Sequence, residues 1–482
     1  MNSVEDIVIN KSSTLKEALK QLNKVGSGLL FVINENNKLL GVLTDGDIRR
    51  FLINDNNLGI TITKVMNDKF IALPVSISNA EILEVLSSKI KIIPLLNENK
   101  EVVDYASINR LRRIPIASPM LNGNELVYLT ECIQTNWISS QGKYVSKFEK
   151  LFSEFHNSYT ALAVSNGTVA LHLALETLGI GKGDEVIVPN LTFAASINAV
   201  IYTGAKPVLV DVEERTLNID VTKIEALITE KTKAIMPVHL YGQPCEMDVV
   251  QSIANKHRLY IIEDCAEALG SKYKGQNIGS FGDASTFSFF GNKTITTGEG
   301  GMVLFKNPKH HIKASLLRDH GMSKEKRYWH DVVGYNYRLT NIQAAIGVAQ
   351  FEKLDVFLKV KKEIAKKYDN ILSKYSFFKI PKRDENIENT YWLYTFLIDE
   401  NAPFKREEFM KILNNKGIDT RPVFYPLHVM PPYKKYTNND NYPVSLKVSS
   451  TGVSLPTSAN LSILEVDYIC NNINEFVNKY IV

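Results

Sequence analysis

Residues 287–302 read FSFFGNKTITTGEGGM. An apolar, β-rich run, ASTFSFF at 284–290, leads into a glycine-rich turn that carries one lysine, Lys293. Between strand residues and such a turn a lysine is poorly hydrated. Burial lowers its proton affinity, and the neutral amine is the nucleophile that a carbonyl requires. A single lysine near glycines is more often structural than reactive, so its companions decide the reading.

The strand LYIIED (259–264) ends on Asp264, and ligands of open parallel sheets bind at the C-terminal ends of strands. A carboxylate there either caps a helix or keeps the ring nitrogen of pyridoxal phosphate (PLP) protonated, which makes that ring an electron sink. SNGTVALHLAL (165–175) supplies a strand end, a tight turn at Gly167 and the hydroxyl of Thr168. It continues as a helix whose positive N-terminus points back at the turn, which suits a phosphate. Ser288, five residues before Lys293, adds a hydroxyl from a neighbouring strand end. Phe193, in VPNLTFAAS (188–196), either fills the core or lies flat against a pyridine ring.

Outward from these segments strands alternate with helices. TALAV precedes the helix GTVALHLALETLG, closed by Gly179, and DEVIVPN, KPVLVDV and KAIMPVH come before LYIIED and ASTFSFF. That order predicts an α/β fold with a mostly parallel central sheet over 114–355. Residues 356–482 change to longer amphipathic helices and then strands such as WLYTFLI, a smaller C-terminal α+β domain. KVKKEIAKKY (359–368) carries its lysines above Phe357, Val360, Ile364 and Tyr368 at helical spacing, so they read as a solvated helix face and not a nucleic-acid site. GIGKGDEV (179–186) comes after a helix and before a strand, the reverse of a dinucleotide or P-loop turn, and reads as a connection.

The N-terminal residues hold a weak repeat. STLKEALKQL and GLLFVINENNKLLGVLTDGDIRR form its first copy, SNAEILEVL and IIPLLNENKEVVDYASINRLRR its second. Each reads as helix, strand, N-E-N turn, strand and a short helix ending Arg-Arg. Arg112, Arg113 and Pro115 mark the boundary between this repeat and the α/β region. The repeat resembles a tandem CBS pair, with one motif at 1–56 and a degenerate one at 57–113. That resemblance implies an adenine-nucleotide site at Gly41, Thr44 and Asp47, or a pair that only dimerises. In the second copy Ser107 replaces the threonine and Arg110 stands in place of the aspartate.

Residues 115–482 resemble the DegT/StrS-type sugar aminotransferases, a fold-type-I PLP family. By that resemblance Lys293 holds PLP as a Schiff base, and Asp264 pairs with the ring nitrogen. Glu267, in EDCAEALG, faces the ring hydroxyl, and Gly167, Thr168 and Ser288 hold the phosphate. Asn336, in GYNYRLTNIQAAIG, reaches the phosphate from the other subunit of a homodimer with shared active sites. NWISSQGK, RDHGM and TRPVFYPLH match the segments that face a nucleotide sugar. Trp137, His320, Arg338, Arg421 and His428 are the candidates there, each equally suited to anchoring a loop by hydrogen bonds. SFFGNKTITTGEGG with NWISSQGK is similar to the branch that aminates C4 of a GDP-linked 4-keto-6-deoxy sugar with L-glutamate as donor. A GDP- or UDP-linked 4-keto-6-deoxy-N-acetylglucosamine is the alternative substrate. A PLP- and CBS-bearing metabolite sensor without turnover is the alternative function. Lysine at 293, where a related branch of 3-dehydratases has histidine, implies transamination.

Bulk properties agree. Among 482 residues the net charge is only +4, with no basic stripe for nucleic acid. Cys132, Cys245, Cys265 and Cys470 are scattered and read as reduced thiols. No signal peptide or membrane-length apolar run is visible, which predicts a cytoplasmic protein. No His, Cys, Asp and Glu residues show metal-ligand spacing, so no metal is expected.

Overall fold

The computed structural model describes residues 4–87, 89–108, 110–111, 113–157, 159–381, 384–437 and 442–481. Arg112 lies outside them. Two compact units emerge, one comprising residues up to Pro115 with 407–420 and 462–482, the other 116–406 with 421–461. None of the four cuts between them falls at the boundary read at 355/356.

In the first unit the repeat is visible as two three-stranded sheets. Strand β1 (Val8–Asn10), helix α1 (Leu15–Val25), β2 (Leu29–Ile33) and β3 (Leu39–Thr44) are followed by α2 (Asp45–Asn54). The second copy is β4 (Leu73–Pro74), α3 (Asn79–Val85), β5 (Ile92–Leu96) and β6 (Val102–Ser107). In each, the first strand pairs parallel and the last antiparallel with the middle one. Local sequence explains the match. Thr14 with Glu17 and Ser78 with Glu81 close equivalent capping boxes. Asn37 and Lys100 take the left-handed conformation that turns each hairpin.

The copies diverge after the last strand. Thr44 caps α2, but the helix expected after β6 is not formed among the described residues 107–115. Ser107 and Arg110 instead exchange backbone hydrogen bonds. The Arg110 side chain is buried, 2.8 Å from Asp104 and 4.1 Å above the Tyr105 ring. A buried guanidinium needs such partners, and reaching them holds the chain out of a helix. The helices Arg406–Asn415 and Ile463–Val477 contribute most of their length to the same unit. Tyr468 packs against a cluster of Ile82, Leu95, Ala106 and Leu111, while Asn79 donates to Glu465 at 3.1 Å.

The second unit is built on seven strands: β7 (Thr160–Val164), β8 (Glu185–Pro189), β9 (Lys206–Val210), β10 (Thr232–Ile235), β11 (Tyr260–Asp264), β12 (Ala284–Ser288) and β13 (Gly301–Phe305). Their order is β7-β13-β12-β11-β10-β8-β9. Only β13 runs against its neighbours, so the expected mostly parallel sheet is present. Every residue of β8 and β13 is buried, as sheets covered on both faces require. Helix α4 (Gly167–Leu178) leaves the C-terminal end of β7 with Asn166 as its cap and Gly179 in the left-handed conformation at its end. A four-stranded antiparallel sheet is formed by Phe378–Lys379, Tyr394–Ile398, Gly452–Leu455 and Arg421–Pro422.

The long helix α5 (Leu354–Leu372) corrects one expectation. Lys361, read as part of a solvated face, is buried. Its Nζ donates to the carbonyls of Tyr391 and Trp392 at 3.3 Å and of Thr457 at 2.5 Å. Three acceptors for three ammonium protons explain why a lysine is tolerated there. No helix among the described residues is long and apolar enough to cross a membrane.

Candidate active site

The parallel strands β7, β11 and β12 deliver their C-terminal ends to one edge of the sheet. Ser288 terminates β12, and Lys293 sits in the loop that turns from β12 to β13. That loop is held by Lys293 N–H to Phe290 O and by Phe289 N–H to Gly300 O. It positions an amine whose side chain is 13% exposed. Lys293 Nζ lies 3.5 Å from Glu267 Oε1 and 3.8 Å from the centre of the Trp392 ring.

Glu267 is anchored from the other side by the Tyr241 N–H, 2.8 Å from Oε2. Burial pushes its carboxyl up from the usual range, against the opposing pull of Lys293. Asp264, three residues earlier, is also buried. Its Oδ2 accepts from Ser196 Oγ at 2.7 Å and its Oδ1 from the Ala266 N–H at 3.1 Å.

A second cradle adjoins. Gly167 opens α4 so close to the end of β12 that a Cβ there would lie 2.8 Å from Ser288 Cβ. Gly301 passes the same turn, where a Cβ would come within 2.5 Å of Asn166 O. The two glycines therefore leave α4's first turn and Ser288 Oγ side by side, amides and hydroxyl together. Thr168 is the second residue of that turn. These groups fit PLP: an amine for its aldehyde, a hydrogen-bonded carboxylate for its ring nitrogen, and a helix start for its phosphate. Phe193 is 59% exposed and packs on Phe424 at 5.9 Å, so its ring is available to a planar ligand.

The substrate-side candidates fall into separate places. His428 leans on the end of β8, its Nδ1 accepting from Asn190 Nδ2 at 2.8 Å and its N–H donating to Asn190 Oδ1 at 3.0 Å. Burial lowers its pKa, which agrees with an accepting ring nitrogen. Arg338 Nη1 donates to Asp319 at 2.6 Å, its Nη2 meets His320 Nε2 at 3.3 Å, and its Nε donates to Asn336 Oδ1 at 3.2 Å. Within one chain Asn336 thus belongs to this second cluster. Trp137 is 57% exposed beside a cavity of about 350 Å³ lined by Cys132, Lys143, Tyr144 and Asn341. Arg421 is exposed at the start of its short strand. Thr44 and Asp47 are each other's partners in the capping box of α2.

Ser196, Tyr241 and Trp392 were not anticipated from the sequence, since a serine, a tyrosine and a strand-edge tryptophan carry no spacing signal. Nor was the meeting of His239, Glu263 and Cys265. Glu263 there already accepts from His239 Nε2 and from the N–H groups of Gly279, Phe281 and Gly282. His239 Nδ1 accepts from Cys245 N–H, and burial raises the Cys265 thiol. Held in this way, Glu263 braces the 279–282 loop.

Comparison with known families bears on the same residues. The DegT/DnrJ/EryC1/StrS aminotransferase model matches residues 119–474. The chain belongs to that family. A CBS domain model matches residues 2–54 of this aminotransferase. GDP-perosamine synthase of Escherichia coli O157:H7 is 49% identical over 367 residues, covering 76% of this chain and 99% of the relative. The Caulobacter vibrioides GDP-perosamine synthase is 47% identical over 365 residues, 74% of this chain and 97% of its own. Among solved structures, a Streptococcus pneumoniae protein classed as a sugar aminotransferase, in its PLP form, superposes with TM-score 0.72 at 30% identity. It covers 77% of this aminotransferase and all of its own chain.

Proposed function

We propose that this aminotransferase uses PLP to move the amino group of L-glutamate to C4 of a nucleotide-linked 4-keto-6-deoxy sugar, as a GDP-perosamine synthase does. One observation carries the reading: Lys293, the Asp264–Ser196 pair and the Gly167–Ser288 cradle stand on neighbouring C-terminal strand ends. The likeness to GDP-perosamine synthases over nearly their whole length favours the sugar and the nucleotide.

When bound, PLP supplies an electrophilic carbon for amines and a ring that stores an electron pair. Lys293 Nζ would hold it covalently and, as a free amine, would take the α-proton of glutamate and return a proton to C4 of the sugar. Asp264 keeps a positive charge on the ring nitrogen, and Ser196 fixes the carboxylate's orientation. Glu267 holds the free Lys293 amine within reach. Gly167, Thr168 and Ser288 bind the phosphate, and Asn336 completes that site in a second copy of the chain. Trp137, His320, Arg338, Arg421 and His428 face the sugar nucleotide. The two half-reactions share one site, so kinetics are ping-pong. At the CBS pair, an adenine nucleotide binds near Thr44 and Asp47, and the enzyme works as a cytoplasmic homodimer.

The test is a screen of GDP-, UDP- and dTDP-linked 4-keto sugars with glutamate, read by the loss of visible absorbance and the mass of the sugar. The expected result is amination of a GDP-linked 4-keto-6-deoxyhexose, lost in Lys293→Ala. Preference for an N-acetylated sugar would replace the proposed substrate. No half-reaction with any amino donor would overturn the enzyme reading.

A further inference from the structure

The lysine that the proposed chemistry needs is flanked by an aromatic group that this chemistry does not call for. Trp392 is 5% exposed, and its ring centre stands 3.8 Å from Lys293 Nζ, which is also 3.5 Å from the Glu267 carboxylate. A desolvated ammonium over an indole is the strongest form of cation–π contact.

The indole is fixed by two contacts and the Trp392 backbone by a third. Its Nε1–H donates to Asn292 O at 2.7 Å, next to Lys293 in the same loop. Its ring stacks on Tyr241, centroids 6.0 Å apart and planes 7° from parallel. Its backbone carbonyl is one of the three acceptors of buried Lys361. Tyr241 also gives its N–H to Glu267, and its own hydroxyl accepts from Phe424 N–H. It does so with φ at +54°, a conformation that non-glycine residues rarely adopt. One strained residue thus orients both the carboxylate and the indole that face the amine.

We infer that Trp392 is a positioning residue that holds the free Lys293 ammonium between its indole face and Glu267, with Tyr241 as the brace common to both. This rests on Lys293 being the PLP lysine. In the form that carries pyridoxamine phosphate the Lys293 amine is free, and the clamp keeps it localised until a keto substrate arrives.

Competitive acetylation with acetic anhydride, read peptide by peptide, measures the reactivity of Lys293 in the full chain loaded with pyridoxamine phosphate. Trp392→Leu raises the rate at Lys293 about tenfold relative to the other lysines at neutral pH. A leucine also opens space, so fluorinated tryptophan at position 392 is the second arm. It keeps shape and N–H while drawing charge from the ring face, and reactivity rises with each added fluorine. Equal Lys293 labelling across the fluorination series overturns the inference, whether or not the leucine variant folds. Failure of the PLP reading would appear elsewhere, as no borohydride-reducible adduct of PLP on Lys293 in the unsubstituted protein.

Discussion

Gly167→Ala tests the phosphate cradle most directly. The added Cβ would lie 2.8 Å from Ser288 Cβ and 3.2 Å from its Oγ. To regain ordinary carbon–carbon spacing, α4 and β12 must part by about 0.7 Å or more. Forcing a methyl into such a gap costs about 1–3 kcal/mol, and the better helix propensity of alanine offsets up to about 1 kcal/mol of that. The variant should therefore fold, losing no more than about 3 kcal/mol. Cofactor affinity suffers more. Loss of one hydrogen bond to a charged phosphate, about 1.5–3 kcal/mol, weakens binding roughly tenfold to a hundredfold. Titrating the cofactor-free variant with PLP by visible absorbance, with a thermal melt alongside, checks both numbers. Wild-type PLP affinity in a folded Gly167→Ala protein would refute the placement of the phosphate between α4 and Ser288.

The same geometry sets three further outcomes. Ser196→Ala removes the 2.7 Å donor to Asp264, so kcat should fall about tenfold or more with PLP still bound, measured by steady-state kinetics and cofactor absorbance. Burial lowers Lys361 to about 7, so between pH 7 and its ordinary value the unfolded chain binds more protons. Stability then rises with pH across that window, and urea denaturation of Lys361→Met should show a flatter pH dependence than wild type. Arg110→Met strands the buried Asp104 carboxylate and should cost about 3–5 kcal/mol in the transition of the first unit; the double variant Asp104→Leu/Arg110→Met should recover most of it.

The alternation of apolar runs with a glycine-opened helix was enough to read the central sheet, because its strands are buried on both faces and spell near-continuous Val, Ile and Leu. Lys293 and Asp264 were legible for a related reason: each ends or follows a strand, and the sheet brings such ends together, whereas Glu267 was reached only through the family resemblance. Trp392 lies 99 positions beyond Lys293 in sequence, and Tyr241 contributes through a backbone N–H that any residue type possesses. Their roles exist only in three dimensions. Lys361 misled for a physical reason, since periodicity cannot separate a lysine that points to water from one that finds three carbonyls. The second CBS-like copy misled because a single charge, Arg110, turned inward to Asp104 where the first copy has a cap.

The first unit is discontinuous in sequence, and that restricts how the chain can be cut or inherited. A deletion ending at 115 would strip Ile82, Leu95 and Leu111 from around Tyr468 and leave Glu465 without its amide partner. The amino-terminal module is thus no detachable appendage but a tenant whose walls include the chain's final helix. Positions 465 and 468 answer to neighbours that only the amino-terminal module supplies, an amide at 79 and an apolar wall at 82, 95 and 111.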